Sequence, residues 1–411
     1  MNRGIVVPLK PLLRRSPLLP GESLPSLLAR LTHLNGYPSS TFLMRLFCHD
    51  YPVRKESLFE EENLKRLAVL TGIPADELCT ASAVGVVQKV RPPNRWEDPF
   101  PVWTGLTHPM ETVWYCPACL AERAYHRWIW QPVSSAVCLR HTCLLMPACP
   151  ECHQPVSVDD LIRLHCRACF ADLRQTHPTT IPTDKNEWMA QTILQCWQTG
   201  GSVAQNDFPQ QSPLTLCRIA DGLALGIAYL SRCGAQVSYI PNLSGKSRSL
   251  HRLVQHLAPP QTLQIYATAI QCMVNWPEGF RRFLYWCEPD PKRDLEKRVK
   301  ALIKFWATHL WNCAAFRFVW DAFHDFRSDR LRFLSGVADR GMTFAQLPAY
   351  ASVGEATKIL EVSREEILNL VKINMLSPTR VWGKRAGDLF FWREDLRDWG
   401  QNQFCLTISE T

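Results

Sequence analysis

At 411 residues the chain has room for about two to four domains, each large enough to bury a core. Its 46% apolar and 20% charged residues place it with ordinary globular proteins and away from disordered ones. A formal charge of +8 permits contact with nucleic acid without demanding it, and no apolar run approaches the roughly 18 residues that span a bilayer. Thirty prolines and 15 tryptophans predict many short helices joined by stiff corners. Met1 to Pro20 is basic and leucine-rich, but Pro8, Pro11, Pro17 and Pro20 interrupt it, so it reads as neither a signal peptide nor a transit helix. Nine of the 17 cysteines are scattered singly from Cys48 to Cys405, without the spacing of a disulfide framework. They predict a reducing, cytoplasmic setting in which they are small buried apolar residues.

In chain order, Leu24, Leu27, Leu28, Leu31 and Leu34 form an apolar stripe of helical period that starts near Glu22-Ser23 and stops at Asn35-Gly36. A second helix is predicted over Ser40 to Phe47, capped by Ser39 or Ser40. A third covers Glu61 to Leu70, and Thr71-Gly72-Ile73-Pro74 turns it into a fourth from Ala75 to about Ala81. Helix, glycine-containing turn and helix make the outline of a helix-turn-helix within residues 1–90. Its second helix carries Asp76 and Glu77 and no Lys or Arg between Pro74 and Gln88. Carboxylates at that end repel phosphates, so a packing or protein-docking role is preferred to base reading. Residues 91–112 are proline-rich and read as a linker.

Residues 113–180 carry the strongest signal. Between Cys116 and Cys169 lie eight cysteines, seven of which pair with each other or with a histidine at a two-residue separation. Cys116, Cys119, Cys138 and His141 make a C-x2-C-x18-C-x2-H set, and Cys149, Cys152, Cys166 and Cys169 make a C-x2-C-x13-C-x2-C set. This is the pattern from which tetrahedral zinc takes four N/S ligands, and two structural Zn2+ ions are expected. A catalytic zinc keeps an open position, whereas each set here supplies four ligands, so no enzyme is expected and a zinc hydrolase or nuclease is disfavoured. Cys143, His153 and His165 are surplus to this spacing. Trp114, Tyr115, Tyr125, Trp128 and Trp130 surround the first set. They read as the small core such a module lacks, in preference to a stacking surface for single-stranded nucleic acid.

Residues 181–340 read as a helical domain, with helices over Glu187 to Trp197 and Leu216 to Leu230. A basic segment, Ser244 to Leu257, holds Lys246, Arg248 and Arg252, which are candidate phosphate contacts. Pro291 to Leu334 is a long amphipathic pattern whose polar face carries six cations, and its apolar face is a candidate dimer surface. In residues 341–411, Ser352 caps a helix Val353 to Glu361, Val362-Ser363 turns the chain, and Arg364 to Ile373 forms the next helix. A strand, turn and strand from Val381 to Trp392 and a helix from Glu394 to Trp399 complete a winged helix-turn-helix pattern. Its second helix again starts acidic, with Glu365 and Glu366. Arg380, Lys384 and Arg385 of the wing are the better candidates for phosphate. The fold class is therefore mainly α, with helix-turn-helix modules flanking tandem zinc fingers and a small β-wing near the C-terminus.

Glu22-Ser23-Leu24 leading into a Leu/Arg helix ending Asn35-Gly36-Tyr37, then Cys116-Pro117-x-Cys119, an aromatic spacer, Cys138-Leu139-x-His141 and the later CxxC pairs together resemble the TniQ family of transposition proteins. Glu355-Ala356-Thr357-Lys358-Ile359-Leu360 and Leu376-Ser377-Pro378-Thr379-Arg380 are similar to the TniQ of type I-F CRISPR-associated transposons. The resemblance, which reaches nearly the whole chain, implies a non-enzymatic adaptor. It implies a head-to-tail homodimer that binds a Cascade effector with its guide RNA and recruits the AAA+ regulator TnsC and, through it, the transposase. The two ligand sets carry over residue by residue. The alternative is a TnsD-like protein that reads an attachment site in DNA directly.

Overall fold

The computed structural model describes residues 10–48, 61–81, 112–201, 211–232, 257–274, 276–286, 316–323, 325, 350–373, 375–376, 380–381, 389–392, 396 and 399. Four predictions fall wholly or largely outside them. These are the linker, the basic segment with Lys246, Arg248 and Arg252, most of the Pro291 to Leu334 pattern, and Lys384 with Arg385. The architecture is mainly helical, and among the described residues no helix is long and apolar enough to cross a membrane.

Two compact units are present: Met1–Arg95 with Pro101–Trp276, and Trp96–Phe100 with Pro277–Thr411. The first opens with α1 (Leu24–Leu34), α2 (Ser40–Phe47), α3 (Glu61–Thr71) and α4 (Ala75–Thr80). Ser23 and Ser39 cap α1 and α2 by accepting backbone N–H groups from Ser26 and Phe42, donors that the first helical turn leaves unpaired. Leu24, Leu27, Leu28 and Leu31 are fully buried, as their spacing requires. Leu34, at the frayed end of the stripe, is 37% exposed. With Leu43, Phe47, Leu64, Leu67 and Leu78 the buried leucines make one core.

That core is tied to the cysteine-rich region by backbone hydrogen bonds. Ser23 N–H donates to the His126 carbonyl at 2.8 Å, and Trp128 N–H donates to the Gly21 carbonyl at 3.0 Å. Between them, Glu22 and Arg127 form an antiparallel bridge. Side chains finish the joint. Ser26 Oγ accepts from His126 N–H at 3.1 Å and donates to Glu22 Oε1 at 2.9 Å. The buried Glu22 carboxylate also takes both Arg30 Nε and Nη2 at 2.7 Å, so its charge is paired and bidentate. Burial lowers the His126 pKa to about 3, so the imidazole is neutral at physiological pH, 2.9 Å from Ser23 Oγ.

After the cysteine-rich region come α7 (Asn186–Gln198), α8 (Pro213–Arg232) and α9 (Pro259–Val274); the last has no counterpart in the sequence reading. Gln191, Gln195 and Gln198 share one face of α7, the first two gripping the backbone of 134–137 and the third the side chains of Ser134 and Ser135. Ala136 N–H donates to Gln191 Oε1 at 3.0 Å, while Gln191 Nε2 donates to the Ser134 carbonyl at 2.8 Å. Gln195 Nε2 donates to the Val137 carbonyl at 2.9 Å, and Gln198 Nε2 to Ser134 Oγ at 2.8 Å. Between α8 and α9, Tyr266 Oη donates to the buried Asp221 carboxylate at 2.8 Å.

In the second unit, α10 (Glu278–Trp286) is followed later in the chain by β3 (Tyr350–Ser352), α11 (Val353–Leu360), α12 (Arg364–Lys372), β4 (Arg380–Val381) and β5 (Leu389–Trp392). The predicted pair of helices and pair of strands are here, and Leu396 and Trp399 are helical. The sheet has a third strand that the sequence reading lacks, in antiparallel order β3-β5-β4, with Ala351 opposite Phe391. Ser352 with Glu355 and Ser363 with Glu366 form two capping boxes. Ala351, Val353, Ala356, Ile367, Phe391 and Leu396 build the core.

Two outcomes test this packing. Gln191→Ala leaves the buried Ala136 N–H and Ser134 carbonyl unpaired, so it should destabilise the first unit by about 2 to 5 kcal/mol, read as a lower melting temperature. Burial raises the Asp221 carboxyl to about 7, against opposing help from Tyr266 and Arg218. A raised carboxyl pKa contributes stability below its unfolded value that is lost as pH climbs through about 4 to 7. Asp221→Asn should therefore raise the melting temperature more at about pH 8 than at about pH 5. An equal change at both pH values would contradict the buried ionisable assignment.

Candidate metal centres

The first cysteine pair is shaped by a helix start. Cys116 caps α5 (Pro117–Glu122), Pro117 supplies a fixed first residue, and Cys119 N–H donates to Cys116 Sγ at 3.5 Å. One helical turn thus aims both thiols the same way. The second pair is shaped by a hairpin. β1 (Val137–Cys138) and β2 (Cys143–Leu144) pair antiparallel, and the loop between them carries His141. Thr142 turns this loop through a left-handed φ of 49°.

Cys116, Cys119, Cys138 and His141 bring their donor atoms together within 4.8 Å of one another. His141 Nδ1 lies 3.4 Å from Cys116 Sγ, 3.2 Å from Cys119 Sγ and 3.6 Å from Cys138 Sγ, and Cys119 and Cys138 are 3.6 Å apart. The other imidazole nitrogen, Nε2, lies 3.1 Å from Glu122 Oε1, and Arg140 Nη2 holds the same carboxylate oxygen at 3.0 Å. A carboxylate behind a ligating histidine orients the ring and fixes the nitrogen it offers. Glu122 is therefore part of the site, and its position three residues after Cys119, at the end of the same short helix, is the signal in the sequence.

Cys149, Cys152, Cys166 and Cys169 form the second set, with Cys149–Cys169 and Cys152–Cys166 sulfur separations of 3.6 Å. Each CxxC is followed by a residue in the left-handed region, His153 at φ 57° and Phe170 at φ 62°. Their N–H groups close the turns onto the Cys149 and Cys166 carbonyls at 3.0 and 2.8 Å. This conformation costs a non-glycine residue about 1 to 2 kcal/mol, and the turn must be held by what it encloses. Helix α6 (Val158–Arg163) lies between the two turns. Its buried Asp160 completes a capping box with Ser157 and accepts Arg167 N–H at 3.2 Å, which anchors the second turn.

Both arrangements fit zinc. Zn–S arms of about 2.3 Å at tetrahedral angles require S···S edges of about 3.8 Å, close to the separations seen here. Thiolates are required, and each set already favours one. Burial opposes ionisation of Cys166, yet N–H groups of Cys169 and Ala168 and the thiols of Cys152 and Cys149 bring it down to about 7. The neighbouring Cys116, Cys119 and Cys143 thiols likewise push Cys138 well below its ordinary value. Four donors per set close the coordination shell, which is the chemistry of a structural metal.

A family model, TniQ, matches residues 13–145. The match supports the TniQ family, and it spans α1 to β2, including the whole first donor set. No curated protein matches the chain.

The sequence reading of the aromatics holds in part. Trp114, Tyr115, Tyr125 and Trp130 are buried, and Trp128 is half-buried. Five of the donor cysteines, Cys116, Cys119, Cys138, Cys149 and Cys166, join Tyr115, Trp130, Ala29 of α1 and Leu263 of α9 in one core. Of the candidate phosphate contacts, Arg380 lies in β4 and the others fall outside the described residues. Asp76 and Glu77 stand in the first turn of α4, as expected.

Cys149→Ser should remove one of two bound zinc ions and melt residues 149–169 locally, because structural zinc contributes on the order of 10 kcal/mol to such modules. Metal analysis with limited proteolysis checks this. Full metal content with native protease resistance would contradict the second set.

Proposed function

We infer that this chain is a non-enzymatic target-selection adaptor for RNA-guided DNA transposition, a role that a TniQ match fits. The observation that carries the reading is that match over residues 13–145, which includes the first metal set and helix α1, whose start is hydrogen-bonded to residues 126–128. In this reading α3–α4 and α11–α12 are helix-turn-helix modules and β4–β5 is a wing. The protein acts in the cytoplasm as a head-to-tail homodimer. It docks on a guide-RNA-loaded Cascade complex of the type I-F kind, and presents a second surface to the AAA+ regulator TnsC, which brings the transposase. Two zinc ions hold the fold and perform no reaction.

The electrostatics of the second helices support protein docking over base reading. Asp76 and Glu77 open α4, and Glu365 and Glu366 open α12. Glu366 is also spoken for: its carboxylate accepts Ser363 N–H at 2.7 Å, and this bond lowers its pKa. The N-terminus of α12 is therefore already capped by an anion of its own chain, and an approaching phosphate meets repulsion there.

Size-exclusion chromatography with the cognate Cascade tests the reading, and the expected result is a co-eluting complex. A TnsD-like reader would instead bind one bare duplex sequence tightly, with affinity falling by roughly one log unit per phosphate contact for each tenfold rise in salt. That outcome, without Cascade binding, would overturn the adaptor.

A further inference from the structure

The first metal set has a fifth donor beside it. β1 and β2 pair in a register that places Cys143 directly opposite Cys138. Residues directly opposite across an antiparallel pair point to the same face, so both thiols aim at one place. Cys143 Sγ lies 3.7 Å from Cys116 Sγ. That is nearly the same edge as the 3.6 Å separations inside the two donor sets, and close to the edge of a zinc–sulfur tetrahedron. Cys143 stands outside the group whose donor atoms all lie within 4.8 Å of each other. With His141 seated, it is therefore a neighbour of the tetrahedron and not a corner.

The two competitors for the fourth position are held very differently. Cys143 is buried and sits on a strand bonded along both edges. β1 covers one edge, and on the other Leu144 N–H donates to the Thr179 carbonyl at 2.9 Å. Cys143 also bridges Thr180, and Ile181 N–H donates to the Thr142 carbonyl at 2.8 Å. His141 sits in the turn, its side chain 23% exposed, steadied by the partly exposed Glu122. Imidazole is the ligand with a path outward, and the Cys143 sulfur is the softer replacement already in place, anionic once its proton is given up.

We propose that Cys143 is the reserve ligand of the first metal centre, taking the fourth position when His141 leaves and converting a site of three cysteines and one histidine to an all-cysteine site. In the exchange the Cys143 thiol proton passes to the released imidazole, which adds one negative charge at the metal and frees His141 from it, while the hairpin stays metal-bound. The inference rests on the donor geometry and stands whether or not the adaptor reading holds.

The test uses the full chain loaded with Zn2+ for metal counting and with Co2+ for absorption, since sulfur-to-cobalt charge transfer grows with each thiolate. Wild type should hold two metals and show the intensity of seven thiolates. His141→Ala should keep two metals, with intensity raised by about one-seventh as Cys143 enters. Cys143→Ser should keep two metals and the wild-type spectrum. The double variant should fall to one metal. Glu122→Ala, which keeps every donor, should move the spectrum in the His141→Ala direction, and the added Cys143→Ser change should cancel that shift. Loss of a metal from His141→Ala alone, or failure of that variant to fold, would overturn the proposal. So would two metals with unchanged thiolate intensity, because water would then fill the site. A Cys143→Ser variant with reduced intensity would also overturn it, by making Cys143 a resident ligand.

Discussion

The first unit depends on how one short stretch of backbone, Ser134 to Cys138, is held. Its side chain at Cys138 faces the first metal set, and its main chain is taken by Gln191 and Gln195 of α7. Pairing with β2 fixes it from a third direction. A two-residue strand has almost no stability alone, since an isolated hairpin is marginal in water. The donor set, the glutamines and the hairpin each supply what the others lack. Removing any one leaves buried polar groups or clustered thiols without partners.

The same logic explains why the N-terminal helices and the cysteine-rich region behave as one body. Metal modules of this size cannot enclose a core by themselves. Here Ala29 and Leu263 come from α1 and α9 to complete it, and the Glu22–Ser26–His126 bonds seal the side facing α1. Two buried carboxylates of this joint are answered, Glu22 by Arg30 and Asp160 within its capping box. A joint built in this way fixes direction, which is what the proposed adaptor role would require.

Legibility in the sequence followed the range of each interaction. Helix α1 was readable to within a residue because its stripe, serine cap and Asn35-Gly36 stop are all local signals. The Ser352 cap of α11 was legible for the same reason, whereas Ser363 read as a turn residue and the glutamates of α12 as a repulsive face, and Glu366 turns out to be a cap as well. Strand β3 was missed because three residues carry no period, and only pairing with Phe390, Phe391 and Trp392 makes them a strand. Helix α9 was missed because its wholly buried Ile265, Tyr266 and Ala269 do not form a narrow amphipathic stripe.

At the metal centres the division is sharper. The sequence alone picked out eight candidate donors and their grouping in fours, because a ligand pair two residues apart is satisfied by a single turn. Tertiary structure decided everything that acts across strands and helices. It brought Glu122 behind His141, turned Gln191 and Gln195 of α7 onto the backbone beside Cys138, and set Cys143 opposite Cys138. By spacing, Cys143 was an extra thiol. A hairpin register, which no count of intervening residues encodes, placed it one tetrahedral edge from Cys116.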